Sequence, residues 1–194
     1  MSVLPIIMGS GWTTLPRNIA RAFNGRSRLP IHECDKVKIQ TPRRHVRPLP
    51  ASSGDVCFSA WRLAHALKKA DCARWPSHQI LWVGAAGFLL EHVHLFDWNS
   101  AGLCLNSGMS DFYADFTRTN LSGRIAQGMT LLFLEDRGYA YIGRFEAELK
   151  RYGGGRKILK SPGAKPNKSP DFIVENGAKE RALAEAKGSF VPFG

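Results

Sequence analysis

Ser169-Pro170-Asp171-Phe172-Ile173-Val174-Glu175-Asn176-Gly177-Ala178-Lys179-Glu180-Arg181-Ala182-Leu183-Ala184-Glu185-Ala186-Lys187-Gly188 is the stretch on which the fold turns. Two short runs flank Asn176-Gly177, and both residues of that pair tolerate the positive φ that a tight hairpin requires. The spacing predicts two antiparallel strands. Side chains alternate along a strand, so Glu185 and Lys187 share one face, while Ala182, Ala184 and Ala186 form a small-residue face suited to close helix packing. Asp171 begins the first strand and comes back near Glu185 across the ladder. Two carboxylates and one ammonium thus converge at one end of a hairpin, which is unfavourable unless a divalent cation neutralises the acids. Hard oxygen ligands suit Mg²⁺, which takes one or two carboxylates plus waters and phosphate oxygens, or Mn²⁺. A lysine beside such an ion can orient or deprotonate a water, or stabilise charge that grows on phosphorus. That is the chemistry of phosphodiester hydrolysis. An exposed hairpin can equally carry Glu and Lys at i and i+2 as plain surface charges.

Working upstream, Gly123 to Tyr139 reads as a helix with Ile125, Met129, Leu132 and Phe133 on one apolar face and Gly138 as its stop. Tyr141-Ile142-Gly143-Arg144-Phe145 reads as a first strand. Pro170-Asp171 and Glu185-Ala186-Lys187 resemble the PD and E-x-K elements of the PD-(D/E)xK nuclease superfamily, the restriction-endonuclease-like fold. The resemblance covers about residues 121–190 and none of the first 120. It implies an α/β core of a helix, a three-stranded meander carrying the acids and the lysine, and then a closing helix and strand. It further implies metal ligation by Asp171 and Glu185, water activation by Lys187, and DNA as substrate. Two departures stand out. Many relatives carry a glutamate on the first helix near the metal; Gln127 holds that place here, and it can orient a water or a phosphate but brings no charge. After Lys187 only Gly188 to Gly194 remain, too few for the closing helix and strand, so the chain reads as C-terminally incomplete.

The 194 residues carry 27 Lys+Arg against 16 Asp+Glu, a formal net charge of +11. With 44% hydrophobic and 22% charged residues, a wholly disordered or collagen-like chain is excluded. The charge favours anionic partners, because Lys and Arg that neutralise phosphates release condensed counterions. It is unevenly spread: +7 over residues 1–50, −1 over 51–120 and +5 over 121–194. Residues 1–50 are broken by six prolines and read as an extended basic arm, with one short helix near Leu15 to Phe23. A solvated terminus would have the same composition. Lys150, Arg151, Arg156, Lys157, Lys160, Lys165 and Lys168 fill the connector before Pro170, where either a phosphate-backbone clamp or a solvated linker fits.

The middle of the chain is less explicit. Val56, Ala60, Leu63, Ala64 and Leu67 have helical spacing over residues 55–72. Gln79 to Val83 has a strand's branched and aromatic content, yet a helix is equally compatible. Ile80 to Leu90 is the most apolar run, but its 11 residues fall short of the ~20 that span a bilayer, so it reads as buried core. His92-x-His94 would share a face on a strand, a metal-ligand geometry in principle, although ordinary packing or surface histidines fit better without a third ligand at motif spacing. Asp111 and Asp115 flank an aromatic stripe expected in the core, with Asp111 capping a helix. Cys34, Cys57, Cys72 and Cys104 form no C-x-x-C pair and read as reduced thiols. With no basic n-region before the short apolar run at the start, the chain is expected in the cytoplasm, with no membrane partner.

The expected organisation is therefore a basic proline-rich arm (1–50), a mixed domain (51–120) and a partial restriction-endonuclease-like domain (121–194). The expected activity is Mg²⁺-dependent DNA hydrolysis by Asp171, Glu185 and Lys187, with Gln127 as a further site residue. A catalytically inactive DNA-binding or interaction module of the same fold, or a truncated product without activity, remains open as an alternative.

Overall fold

The computed structural model describes residues 26–29, 54–92, 94–98, 100, 102–151 and 170–188. Most of the basic arm, its expected helix at Leu15 to Phe23, and the connector 152–169 lie outside the described residues. Strand β1 (Arg26–Leu29) pairs antiparallel with β2 (Val56–Ser59), Arg26 opposite Ser59 and Leu29 opposite Val56. Helices α1 (Ala60–Ala70), α2 (His78–His92), α3 (Met109–Phe112) and α4 (Asp115–Asp136) follow. Strand β3 (Tyr141–Arg144), helix α5 (Phe145–Arg151) and strands β4 (Phe172–Glu175) and β5 (Arg181–Ala184) complete the order. The fold is mixed α/β, with two small antiparallel sheets. No helix of the described residues is long and apolar enough to cross a membrane.

The helix expected over 55–72 is shorter than its spacing suggested. Val56 and Phe58 are buried on alternate positions of β2, and the chain turns helical only at Ala60, where the Ser59 side chain accepts the Arg62 amide at 3.2 Å. Helix α1 buries Leu63, Ala64 and Leu67 and crosses α4 at Gly128, where a β-carbon would lie 2.8 Å from the Leu67 side chain. Arg124 clamps Asp71 through two bonds of 3.0 and 2.7 Å, and Lys69 meets Glu135 at 2.9 Å. These ion pairs bind the rim of a crossing that apolar packing makes.

Helix α4 ends as its glycine indicates. Gly138 has φ +80°, its amide bonds the Glu135 carbonyl at 3.1 Å, and the Tyr139 amide reaches the Leu134 carbonyl at 3.1 Å. That is a Schellman cap. The helix begins earlier than expected, at Asp115, so the boundary anticipated at residue 120 falls inside it. One core runs from Val56 through α1, α2 and α4 to Ile142, Phe172 and Val174.

Two expectations about the middle region are corrected. Gln79 to Val83 is helical, and α2 is not buried all round: Leu81, Ala85, Phe88 and Leu89 face the core while Ile80 is 63%, Val83 70% and Leu90 61% exposed. The aromatic stripe between Asp111 and Asp115 is core only in part: Tyr113 packs against the core while Phe112 is largely exposed. Asp111 lies within α3, whose cap is Gly108, and Asp115 opens α4. His92 ends a helix and not a strand; it stacks on Phe88 and bonds that residue's carbonyl at 3.2 Å, while His94 meets the Tyr113 hydroxyl. The two imidazoles therefore have separate packing partners.

Candidate functional site

The second sheet is a meander in the order β3-β4-β5. Arg144 pairs with Phe172, and Phe172 with Ala184. The alternation sends Phe172 and Val174 into the core, with Ala182 and Ala184 packed beside them. Beyond β5 the small-residue face meets α4: Gly188 lies against the Ser122 carbonyl, where a β-carbon would have no room. The hairpin loop is longer than Asn176-Gly177 alone suggests. The Lys179 amide bonds the Asn176 carbonyl at 3.0 Å, and Lys179, not Gly177, carries the positive φ, +62°. The Asn176 Oδ1 accepts the Ala178 and Glu180 amides at 3.0 and 2.9 Å, which holds this three-residue turn in place.

The register sets Asp171 across the ladder from Glu185, one step outside the Phe172–Ala184 pair. Their side chains take different partners. Asp171 Oδ2 accepts the Ala186 amide at 2.8 Å, and its Oδ1 accepts Gln127 Nε2 at 3.1 Å. Gln127 Oε1 in turn accepts Arg144 Nη2 at 2.8 Å, and Arg144 Nη1 lies 3.9 Å from Asp171 Oδ1. Arginine has donors only, so Arg144 fixes the Gln127 amide with its NH₂ toward Asp171. Glu185 pairs with Lys187 at 3.4 Å, both exposed. The structure thus brings Asp171 and Gln127 into contact and Glu185 to Lys187, and joins the two pairs through the Ala186 backbone.

Arg144 is the residue that sequence reasoning passed over. Burial pulls its guanidinium below its ordinary pKa, while the Asp171 charge pushes the other way; its planar group lies 4.8 Å over the Phe172 ring. A signal was present: Ile142 is buried, and Arg144 two positions on shares its face, so an inward arginine demanded an acidic partner. Asp171 and Arg144 line a cleft of about 990 Å³ whose other walls include Asp71, Arg74 and Trp75 after α1, and Glu148 and Lys150 on α5.

No family model, curated protein or solved structure matches this chain. Function is therefore argued from the site's own chemistry. Among the described residues no group of three or more His, Cys, Asp or Glu side chains is placed to hold a metal ion. The donors anticipated for Mg²⁺ are two carboxylates, the remainder being water and phosphate. Each Asp171 oxygen accepts one protein hydrogen bond and keeps a second lone pair, and Glu185 is open to solvent. The donor set suits a hard, partly hydrated cation.

Proposed function

We propose that the chain is a Mg²⁺- or Mn²⁺-dependent nuclease that hydrolyses DNA phosphodiester bonds, built on a restriction-endonuclease-like core. The observation that carries the reading is the meander itself: Asp171 immediately precedes its central strand, Glu185 lies opposite in register, Lys187 follows two residues on, and Asp171 lines the cleft. In this reading Asp171 and Glu185 hold the cation, which supplies Lewis-acid stabilisation of the scissile phosphate. Lys187 orients the attacking water; the water oxygen bonds to phosphorus as its proton passes to solvent, the ester P–O bond breaks, and the leaving alkoxide oxygen takes a proton from solvent. Gln127 positions Asp171 rather than ligating, because its carbonyl is taken by Arg144 and its NH₂ by Asp171.

The hydrogen bonds on Asp171 favour a second reading, a DNA-binding module of the same fold without the chemistry. A carboxylate already satisfied by Ala186 and Gln127 stabilises the fold without a metal. Nicking of plasmid and of single-stranded circular DNA with Mg²⁺ separates the two. The nuclease reading expects nicking by the wild type and its loss in Lys187→Ala; equal nicking by both proteins, or none by either, overturns it. The module reading expects salt-sensitive DNA binding indifferent to EDTA.

A further inference from the structure

The cleft beside Asp171 carries a feature that phosphate chemistry does not use. Trp75 stands in its wall 55% exposed, far more than an indole placed for core packing. Its ring is held: Lys69 Nζ lies 4.7 Å from the ring centroid while ion-paired to Glu135 at 2.9 Å. Arg74 and Lys150 line the same cleft, and neither forms an ion pair with a described residue. Asp71, three residues before Arg74, is neutralised by its two bonds from Arg124, while Glu146 and Glu148 on α5 line the cleft beside Lys150.

An exposed, pre-oriented aromatic ring beside two cations with no ion-pair partner among the described residues has one economical use. Bases inside a duplex have both faces covered by their neighbours, whereas an unpaired base offers a face for stacking, and every base has one. We infer that the cleft takes single-stranded DNA, with a base stacked on Trp75 and the flanking phosphates on Arg74 and Lys150. The inference rests on the nuclease reading for its substrate class, and it makes the strand presented to Asp171 unpaired, as in a single strand, flap or frayed end. Arg144, tied to Gln127, forms the cleft wall beside Asp171.

The test is fluorescence anisotropy in EDTA with a labelled oligothymidylate of about twelve nucleotides, against a blunt duplex of the same length. The wild type binds the single strand more tightly than the duplex. Trp75→Ala weakens single-strand binding ~10-fold, and Trp75→Phe, which keeps an aromatic face, restores most of it. Arg74→Ala and Lys150→Ala each lower the slope of log affinity against log salt by about one. Circular dichroism confirms that each variant is folded. Equal binding by Trp75→Ala and wild type, or a wild-type preference for duplex, overturns the inference. Because EDTA prevents cleavage, the two readings fail separately: Trp75-dependent binding with no Mg²⁺-dependent cleavage of plasmid or of single-stranded circular DNA removes only the nuclease, and cleavage with Trp75-indifferent binding removes only the stacked strand.

Discussion

Replacing Asp171 with asparagine asks what holds the meander to helix α4. Asp171 accepts two hydrogen bonds, from the Ala186 amide at 2.8 Å and from Gln127 Nε2 at 3.1 Å. Asparagine has the same shape but offers only one acceptor oxygen, so its NH₂ must face one of these donors. Flipping Gln127 does not help, because its NH₂ would then face Arg144, which also only donates. One charge-assisted bond is lost and a donor is left unpaired, a cost of about 1.5–3 kcal/mol. The Arg144 contact, at 3.9 Å between side chains about a fifth exposed, adds less than about 1 kcal/mol after solvent screening. For a domain of this length the combined loss lowers the unfolding midpoint by roughly 3–16 °C. Urea and thermal unfolding followed by circular dichroism, with EDTA present, measure it. If Asp171 and Glu185 instead faced each other as bare charges, neutralising one would relieve repulsion. Stability that is unchanged or raised in Asp171→Asn refutes the network.

Three further outcomes follow from the packing and the turns. Gly128→Ala places a β-carbon 2.8 Å from Leu67 and 3.1 Å from its backbone nitrogen, so it costs about 1–3 kcal/mol despite the better helix propensity; Gly87→Ala on α2, with nothing within 4 Å, gains up to about 1 kcal/mol, and urea unfolding compares them. Lys179→Gly relieves a left-handed residue at φ +62° and stabilises the hairpin by about 1 kcal/mol, read from the same unfolding curves. Burial lowers the pKa of His92 in the fold below its ordinary 6.5, against the opposing pull of Glu91 and the Phe88 carbonyl. Its contribution is complete above the unfolded value and is lost as pH falls through the lower folded one, so stability drops as the solution is acidified below the ordinary imidazole range and His92→Phe flattens that slope in a pH series of thermal melts.

Local rules made part of this fold legible. Alternating residues around Asn176-Gly177 marked the two strands of the hairpin, while their register is set by the longer turn Gly177 to Lys179, and Gly138 marked the end of α4 because a Schellman cap needs a positive φ there. Helix α2 was illegible by periodicity: Ile80, Val83 and Leu90 on its outer side are as apolar as Leu81, Phe88 and Leu89 on its inner one, so no 3.6-residue rhythm distinguishes the faces. The positive φ fell on Lys179 because the Asn176 side chain organises a longer turn than the dipeptide alone specifies. At the candidate site, the proximity of Asp171 and Gln127 was expected from the first helix. Their hydrogen bond, and Arg144 as third partner, depend on how α4 packs across β3 and β4, which no local pattern encodes. Trp75 carries no local signal of a site for the same reason: only the tertiary fold sets it in the cleft wall with Asp171.

The claim on which the account rests is that Asp171 and Glu185 share a divalent cation. Mn²⁺ titration followed by electron paramagnetic resonance of the free ion tests it on the wild type, Asp171→Ala and Glu185→Ala, each first shown to be folded. The account predicts a site on the wild type that either substitution removes. Mn²⁺ uptake that is absent from the wild type, or unchanged in both variants, contradicts it.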